Sequence, residues 1–194
     1  DAGSDAGGIR SRAVRDGDEW VLNGTKAFIT NSGTEITSVI TVTARTDSDE
    51  ISAFLVPAGT PGLVVEPPYR KMGWRASDTH EIRMEDCRIP AANLLGERGR
   101  GFHQFLQILD EGRIAISALA VGLLQGCLDE CVAYAGERVA FGKPIGAHQA
   151  IAFKCADMAV ALDAARLLTY RAAWMSDQGM PVAREAAAAK LFAS

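Results

Sequence analysis

The sequence predicts an α+β protein in two parts: an antiparallel β-barrel or sandwich domain over residues 1–97, then long antiparallel helices of an incomplete four-helix bundle over 98–194. Three observations carry this. Short strand-like runs separated by turn residues fill the first part. The composition changes at Gly96-Glu97-Arg98-Gly99-Arg100-Gly101, after which proline nearly disappears and alanine and leucine rise. Beyond that point apolar residues recur at helical spacing.

In chain order, the clearest β signal is Asn23-Gly24 between the runs 20–22 and 25–30. Asn-Gly supplies the positive φ angles of a type I′ turn, so a hairpin is expected there. Further strands are expected at 38–44, 52–56, 63–66 and 81–84. Pro57, Pro61, Pro67, Pro68 and Pro90 fall between or at the ends of these runs, where a missing N–H costs little. The glycine-rich segment 96–101 precedes a helix, but no strand-bound GxGxxG or GxxxxGK[ST] is present, so it reads as a linker and not a phosphate cradle. The first helix is expected over 102–138, with Phe105, Leu109, Ile116, Leu119, Leu123 and Cys127 at helical spacings. Its middle is apolar on nearly every side, which predicts that it is surrounded. A second helix over 147–177 carries the charge pairs Lys154/Asp157 and Asp163/Arg166 on its wet face. Gly179 and Pro181 end it, and a third, 182–194, stops in mid-pattern. With no initiator Met at Asp1 and an unclosed bundle, the chain is expected to be cut at both ends.

Composition excludes several classes of function. Lys plus Arg number 20 against 24 Asp plus Glu, a net charge of -4 spread without blocks, which argues against a nucleic-acid partner. The uncharged apolar stretch 114–128 is shorter than a bilayer requires and contains Ser117 and Gln125, so a buried helix is expected and no membrane span. Cys87, Cys127, Cys131 and Cys155 form no CxxC and stand near no histidine at ligand spacing. They read as reduced core thiols in a reducing compartment, with no metal site. Between the first two helices, Arg138, Phe141, Gly142, Lys143, Pro144 and Gln149 form a basic, aromatic, turn-forming set. By itself the set is compatible with a plain turn, its cations favoured by the helix C-terminus and Gly142 and Pro144 marking stop and restart.

Seven stretches raise this above a bare pattern: AGSDAGG (2–8), NGTKAFITN (23–31), AFLVPAGTPGL (53–63), MGWRASDTHEIRMEDCRIP (72–90), LLGERGRGF (94–102), LDEGRIAIS (109–117) and ERVAFGKPIGAHQA (137–150). Together, and in this order, they resemble the acyl-CoA dehydrogenase family over the whole chain. The resemblance implies an FAD flavoprotein, usually tetrameric, with this chain spanning the middle β-domain and the first part of the C-terminal helical domain. It implies α,β-dehydrogenation of an acyl-CoA thioester, with a glutamate as base, hydride passing to the flavin, and electron-transferring flavoprotein as acceptor. It implies the bacterial cytoplasm or the mitochondrial matrix as location.

Carried over residue by residue, the resemblance implies that Phe28, Ile29 and Thr30 lie against the flavin ring. Ser4 belongs to a loop touching cofactor and CoA, and Leu109, Asp110 and Arg113 border the thioester-pantetheine channel. Arg138, Phe141 and Gln149 reach the FAD of a neighbouring subunit. Ordinary structural accounts stand beside these roles: a strand aromatic for Phe28, a turn serine for Ser4, an i,i+3 ion pair for Asp110 and Arg113. Where one branch of the family places its base, directly before the arginine, this chain has Gly112. Glu111 points about a quarter turn away. No catalytic base is therefore expected in this chain, and the base is expected in a later C-terminal part. The runs ADMAVALDAARLLTYRAAW (156–174) and EAAAAKLFAS (185–194) look most like short-chain, butyryl-type members. An acyl-CoA oxidase on the same fold, or a catalytically silent binding and assembly module, are the alternatives.

Overall fold

The computed structural model describes Gly3 and residues 5–194, in two compact units, Asp1–Phe105 and Leu106–Ser194. The first unit is built on a seven-stranded sheet with strand order β5-β6-β2-β1-β3-β4-β7. These are β1 (Arg12–Asp16), β2 (Glu19–Thr30), β3 (Val39–Arg45), β4 (Ile51–Pro57), β5 (Leu63–Val65), β6 (Thr79–Pro90) and β7 (Leu94–Leu95). All neighbours are antiparallel except β1 and β3, which meet in parallel at Arg12 and Arg45. The sheet is sandwich-like and does not close into a barrel. Trp20 on β2 and Phe54 on β4 stand three strand spacings apart in the sheet, about 14 Å if it were flat, yet their rings meet edge to face at 5.2 Å. The sheet must curl so that β2 and β6 face β3 and β4. Leu22, Ile82, Met84 and Ile89 from one side and Ile40, Val42 and Val56 from the other close the core between them.

The predicted hairpin at Asn23-Gly24 is not there. These residues lie inside β2, and the β1–β2 reversal comes earlier, where Asp16 pairs with Glu19 and Gly17 supplies a φ of 59°. At Asn23 the side chain exchanges hydrogen bonds with Asp86 across a register shift, and Gly24 is required because a Cβ would stand 2.8 Å from the Ser11 Cα. The turn-forming pair is thus used for a bulge, a residue type and place that suit it equally well.

The glycine-rich segment is not a free linker either. Gly99 N donates to Ser52 Oγ, Arg98 bonds Glu50 at 2.8 Å, and a Cβ on Gly101 would fall 2.4 Å from the Ser52 carbonyl carbon. Only glycine lets the start of the first helix lie against the β4 backbone.

That helix, α1 (Gly101–Glu137), is followed by a two-stranded hairpin, β8 (Val139–Ala140) and β9 (Lys143–Pro144), then α2 (Gln149–Asp177) and α3 (Ala183–Ala193). In the second unit the helices pack antiparallel through Ala120 and Val121 of α1, Leu162 and Ala165 of α2, and Ala193 of α3. Arg166 donates to Gln125 at 2.5 Å, and Asp163 pairs with Arg166, while no Lys154–Asp157 ion pair forms among the described residues. The buried hydroxyls of Ser117 and Thr169 donate to carbonyls one turn back.

Helix α1, expected to be surrounded, is covered on one side only among the described residues. Leu109, Ile116, Leu119, Leu123 and Cys127 are exposed, and the buried residues are Ser117, Ala120, Val121 and Ala135. Helix α1 is apolar on more sides than its neighbours cover, so the smallest side chains, which allow the closest approach, win the interface. By length and composition alone α1 meets the measure of a membrane span, a measure that core helices also meet. Of the cysteines only Cys87 is a core thiol; Cys127 and Cys131 are exposed and Cys155 is half-buried.

Candidate functional site

Three groups of predicted residues occupy distinct places in the fold. The first is the end of β2. Its pairing with β6 slips between Lys26/Ile82 and Ile29/His80, so Ala27 and Phe28 together oppose Glu81. Phe28 takes a φ of 59°, a left-handed conformation that an aromatic residue rarely adopts and that marks a bulge re-aiming its side chain. The ring is 72% exposed and stacks on Tyr69 with centroids 4.8 Å apart. Ile29 turns inward against the core, and Thr30 is exposed. The chain then reverses through Asn31, whose φ is 57°, and the reversal is pinned by Ser32 Oγ donating to Ile29 O and by Thr37 Oγ1 donating to Asn31 O. Beside the Phe28–Tyr69 stack opens a cleft of about 730 Å³ lined by Tyr69, Arg70, Lys71, Arg75, Asp78 and Thr79. Two residues before Phe28, burial pushes the Lys26 ammonium down to about 8.

The second group lies on α1. Arg113 and Asp110 form an ion pair at 2.6 Å, as the structural account of these residues had it, while Leu109 is exposed beside them. Gly112 faces open space and Glu111 is exposed.

The third group is the hairpin between α1 and α2. Phe141 and Gly142 have φ angles of 53° and 77°, the two positive values of a type I′ turn, and Val139/Pro144 and Ala140/Lys143 pair behind them. The predicted plain turn is therefore a strained hairpin that holds the Phe141 ring 97% exposed at its tip. The ring meets His148 edge to face at 5.9 Å, and His148 Nε2 donates to Ala140 O at 3.1 Å. Ile145 N donates to Arg138 O, which ties the hairpin's base, and leaves the Arg138 side chain exposed. Gln149 is the exposed first residue of α2. Ser4 lies outside the described residues. Among those described, no group of three or more His, Cys, Asp or Glu could hold a metal ion.

Residues 1–87 match the model of the acyl-CoA dehydrogenase middle domain, and residues 99–194 that of the acyl-CoA dehydrogenase C-terminal domain. The chain belongs to the acyl-CoA dehydrogenase family. A probable acyl-CoA dehydrogenase of Bacillus subtilis is 53% identical over 196 residues, covering 100% of this chain and 52% of that protein. The rat mitochondrial short-chain specific acyl-CoA dehydrogenase is 53% identical over 194 residues, covering 99% of this chain and 47% of that protein. The structure of butyryl-CoA dehydrogenase from Megasphaera elsdenii superposes with a TM-score of 0.95 at 41% identity, over 99% of this chain and 51% of that one. The chain thus spans about half the length of the curated relatives it matches.

Sequence reasoning missed several members of these sites. Tyr69 follows Pro67-Pro68 in an irregular segment with no periodicity to mark it, and its partnership with Phe28 depends on a bulge that no pattern announces. His148, Asp78 and His80 stand inside stretches that carry the family resemblance, so the motifs pointed to the region without assigning the residue. Arg138, Phe141 and Gln149 do cluster at one hairpin and helix start.

Proposed function

We propose that the protein carrying this chain is an FAD-dependent acyl-CoA dehydrogenase acting on short acyl-CoA thioesters. The observation that carries the reading is Phe28, an exposed aromatic ring held in a left-handed bulge and backed by Tyr69, with the exposed Thr30 two residues on in a chain of this family. A stacked pair of rings at a strand end is a fixed, flat, low-entropy surface suited to a planar aromatic group. Phe28, Ile29 and Thr30 would hold the isoalloxazine, and Arg138, Phe141 and Gln149 the FAD of a second copy in a tetramer. An exposed guanidinium suits pyrophosphate. The residues present fit the group. When bound, FAD supplies a two-electron acceptor for hydride from the acyl β-carbon.

This chain's own side chains bind and orient. The Asp110–Arg113 pair would fix one polar edge along the thioester channel beside Leu109. Gly112 moves no proton, so the base that takes the α-proton comes from elsewhere in the whole protein. Electron-transferring flavoprotein is the acceptor, in the bacterial cytoplasm or the mitochondrial matrix.

The test is to add butyryl-CoA, without oxygen, to the flavin-loaded protein that carries this chain. The flavin absorbance should bleach and should recover on adding electron-transferring flavoprotein. A flavin that stays oxidised with every short acyl-CoA would overturn the reading, and rapid peroxide formation on admitting air would assign the oxidase chemistry instead.

A further inference from the structure

Behind the Phe28 bulge lies a polar cluster that the dehydrogenase reading does not use. His80, on β6 opposite Ile29, is only 6% exposed. Its Nδ1 is 2.5 Å from the Glu66 carbonyl oxygen, and its Nε2 is 2.6 Å from Asp78 Oδ1. Both neighbours are acceptors, and an imidazole satisfies two acceptors only when both ring nitrogens carry protons. An imidazolium paired with the Asp78 carboxylate satisfies both contacts at once. The other Asp78 oxygen accepts the Gly33 N–H at 2.9 Å, and Gly33 lies flat on the imidazole, since a Cβ there would be 2.3 Å from Nε2.

The cluster ties together the chain segments that carry the Phe28–Tyr69 stack. Gly33 closes the reversal that follows Thr30, and Asn31 N donates to Asp78 O at 3.0 Å. Glu66 precedes Tyr69 by three residues, and Tyr69 N donates to Thr79 O at 3.0 Å. From one side Lys71 Nζ donates to Ser77 O and to Thr79 Oγ1, placing its charge towards Asp78. From the other, Arg83 engages the Glu66 carboxylate at 2.7 Å. Ile29 anchors this strand end in the core, while the Phe28 ring is exposed and Tyr69 half-buried, so these polar links are what hold the segments around the stack.

We propose that the His80 imidazolium, held by Asp78, is a positioning residue that fixes the Phe28–Tyr69 stack and Thr30 in the orientation presented to the flavin. The proposal rests on the reading of Phe28 and Thr30 as flavin-facing. The hydrogen bond to the Glu66 carbonyl, with Asp78 adding to it, raises the His80 pKa above its ordinary value against the opposing effect of burial. The Gly33 N–H, with His80 and Lys71 adding, holds Asp78 below the usual carboxylate range. Because the folded-state value of His80 is raised, the clamp is complete below the ordinary histidine value and opens as pH rises through the raised one.

The experiment is long-range ¹H–¹⁵N spectroscopy of the His80 ring in this chain from about pH 6 to about pH 10, across and above the ordinary histidine range, with the Phe28–Tyr69 ring contacts followed in the same samples. Both ring nitrogens should be protonated at neutral pH, and the ring contacts should loosen with the midpoint at which His80 loses its proton. Asp78→Asn keeps the shape but not the charge, and should lower that midpoint by on the order of one unit. His80→Gln carries both its donors on one nitrogen, cannot span the two acceptors as the ring does, and should loosen the stack at every pH. In the flavin-loaded protein that carries this chain, the flavin absorbance maximum should move with the His80 midpoint. A neutral His80 at neutral pH overturns the proposal. So does a Phe28–Tyr69 contact that stays constant while His80 titrates, whereas a contact that loosens under an unchanged flavin spectrum overturns the flavin-facing reading of Phe28; Asp78→Asn keeps this decisive if His80→Gln does not fold. The ring measurements need no flavin, so failure of the clamp and failure of the flavin-site reading are separate results.

Discussion

The two units bury their apolar residues in opposite ways. In the β unit the large side chains Phe54, Leu22, Ile82, Met84 and Ile89 are wholly enclosed, and the exposed aromatic Phe28 stands out against a closed core. In the helical unit the interface is built from alanines and a few leucines, while Leu119, Leu123, Leu167, Tyr170 and Trp174 face outward. A sheet that curls on itself encloses its own inner face. Three helices in a row enclose only the seam between them, and contiguous apolar faces of this kind mark surfaces made for another partner. The β unit thus encloses its core and presents a few strained groups, whereas the helical unit leaves broad apolar faces uncovered.

The largest test of that contrast is a pair of truncations. Phe54→Ala removes a fully buried ring that packs on Trp20 and should cost about 3–5 kcal/mol. Leu123→Ala, at a side chain 64% exposed, should cost less than about 0.5 kcal/mol, as surface changes do. Urea unfolding of both variants measures it, and equal losses would mean that the outer face of α1 is buried in solution. A smaller contrast separates two glycines. Gly62→Ala forces a Cβ to 2.3 Å from Glu85 O at a φ of 84° and should destabilise by about 2–3 kcal/mol. Gly112→Ala, in the helix with open space around it, should stabilise by about 0.5–1 kcal/mol. A Gly112 variant that loses stability would place something against that face.

Much of this architecture was legible in the sequence, and the misses have physical reasons. Strand-like runs and turn residues pointed to β3, β4 and β5 and to part of β2 and β6 but not to β1, and helical spacing pointed to α1, α2 and α3 within a residue or two. The Asn-Gly signal failed because a local propensity for positive φ says where a turn or a bulge can form, not which one long-range pairing selects. Gly17 had already reversed the chain, and β6 was available to extend β2. The type I′ turn appeared instead at Phe141-Gly142, where the aromatic residue argues locally against it and the surrounding helices impose it. On α1 the helical periodicity was right, but the expected surround is not there among the described residues, since a helix apolar on several sides does not say which side its neighbours take. At the candidate site, motif resemblance singled out Phe28, Thr30 and Phe141, while Tyr69 and the His80–Asp78 pair required the register of β2 on β6.

Lys26 tests the closed side more finely. It points along the inner face of β2, and among the described residues no carboxylate pairs with it, so burial alone lowers its pKa to about 8. The unfolded chain keeps the ordinary value of 10.5 and so binds more protons over that interval. Stability should therefore rise with pH from about 8 towards 10.5. Lys26→Met should flatten that rise and add on the order of 1 kcal/mol at neutral pH. Thermal unfolding across the interval would decide it, and a profile unchanged by the substitution would show that the ammonium reaches water.

The smallest perturbation reads both units at once. Cys87 is enclosed by the β core, where burial pushes its thiol up, while Cys127 and Cys131 sit one turn apart on the outside of α1. A thiol reagent should modify the two helix cysteines at the rate of ordinary free thiols and Cys87 more slowly by on the order of a thousandfold, because that reaction waits for the core to open. Mass spectrometry of the time course separates the sites without altering a residue. Fast labelling of Cys87 would mean that the β unit opens locally and that its apparent closure is not its solution behaviour. Slow labelling of Cys127 and Cys131 that quickens on dilution would mean that the apolar face of α1 is covered by another copy of the chain, the assembly that a flavin site completed by Arg138 and Phe141 of a neighbour requires.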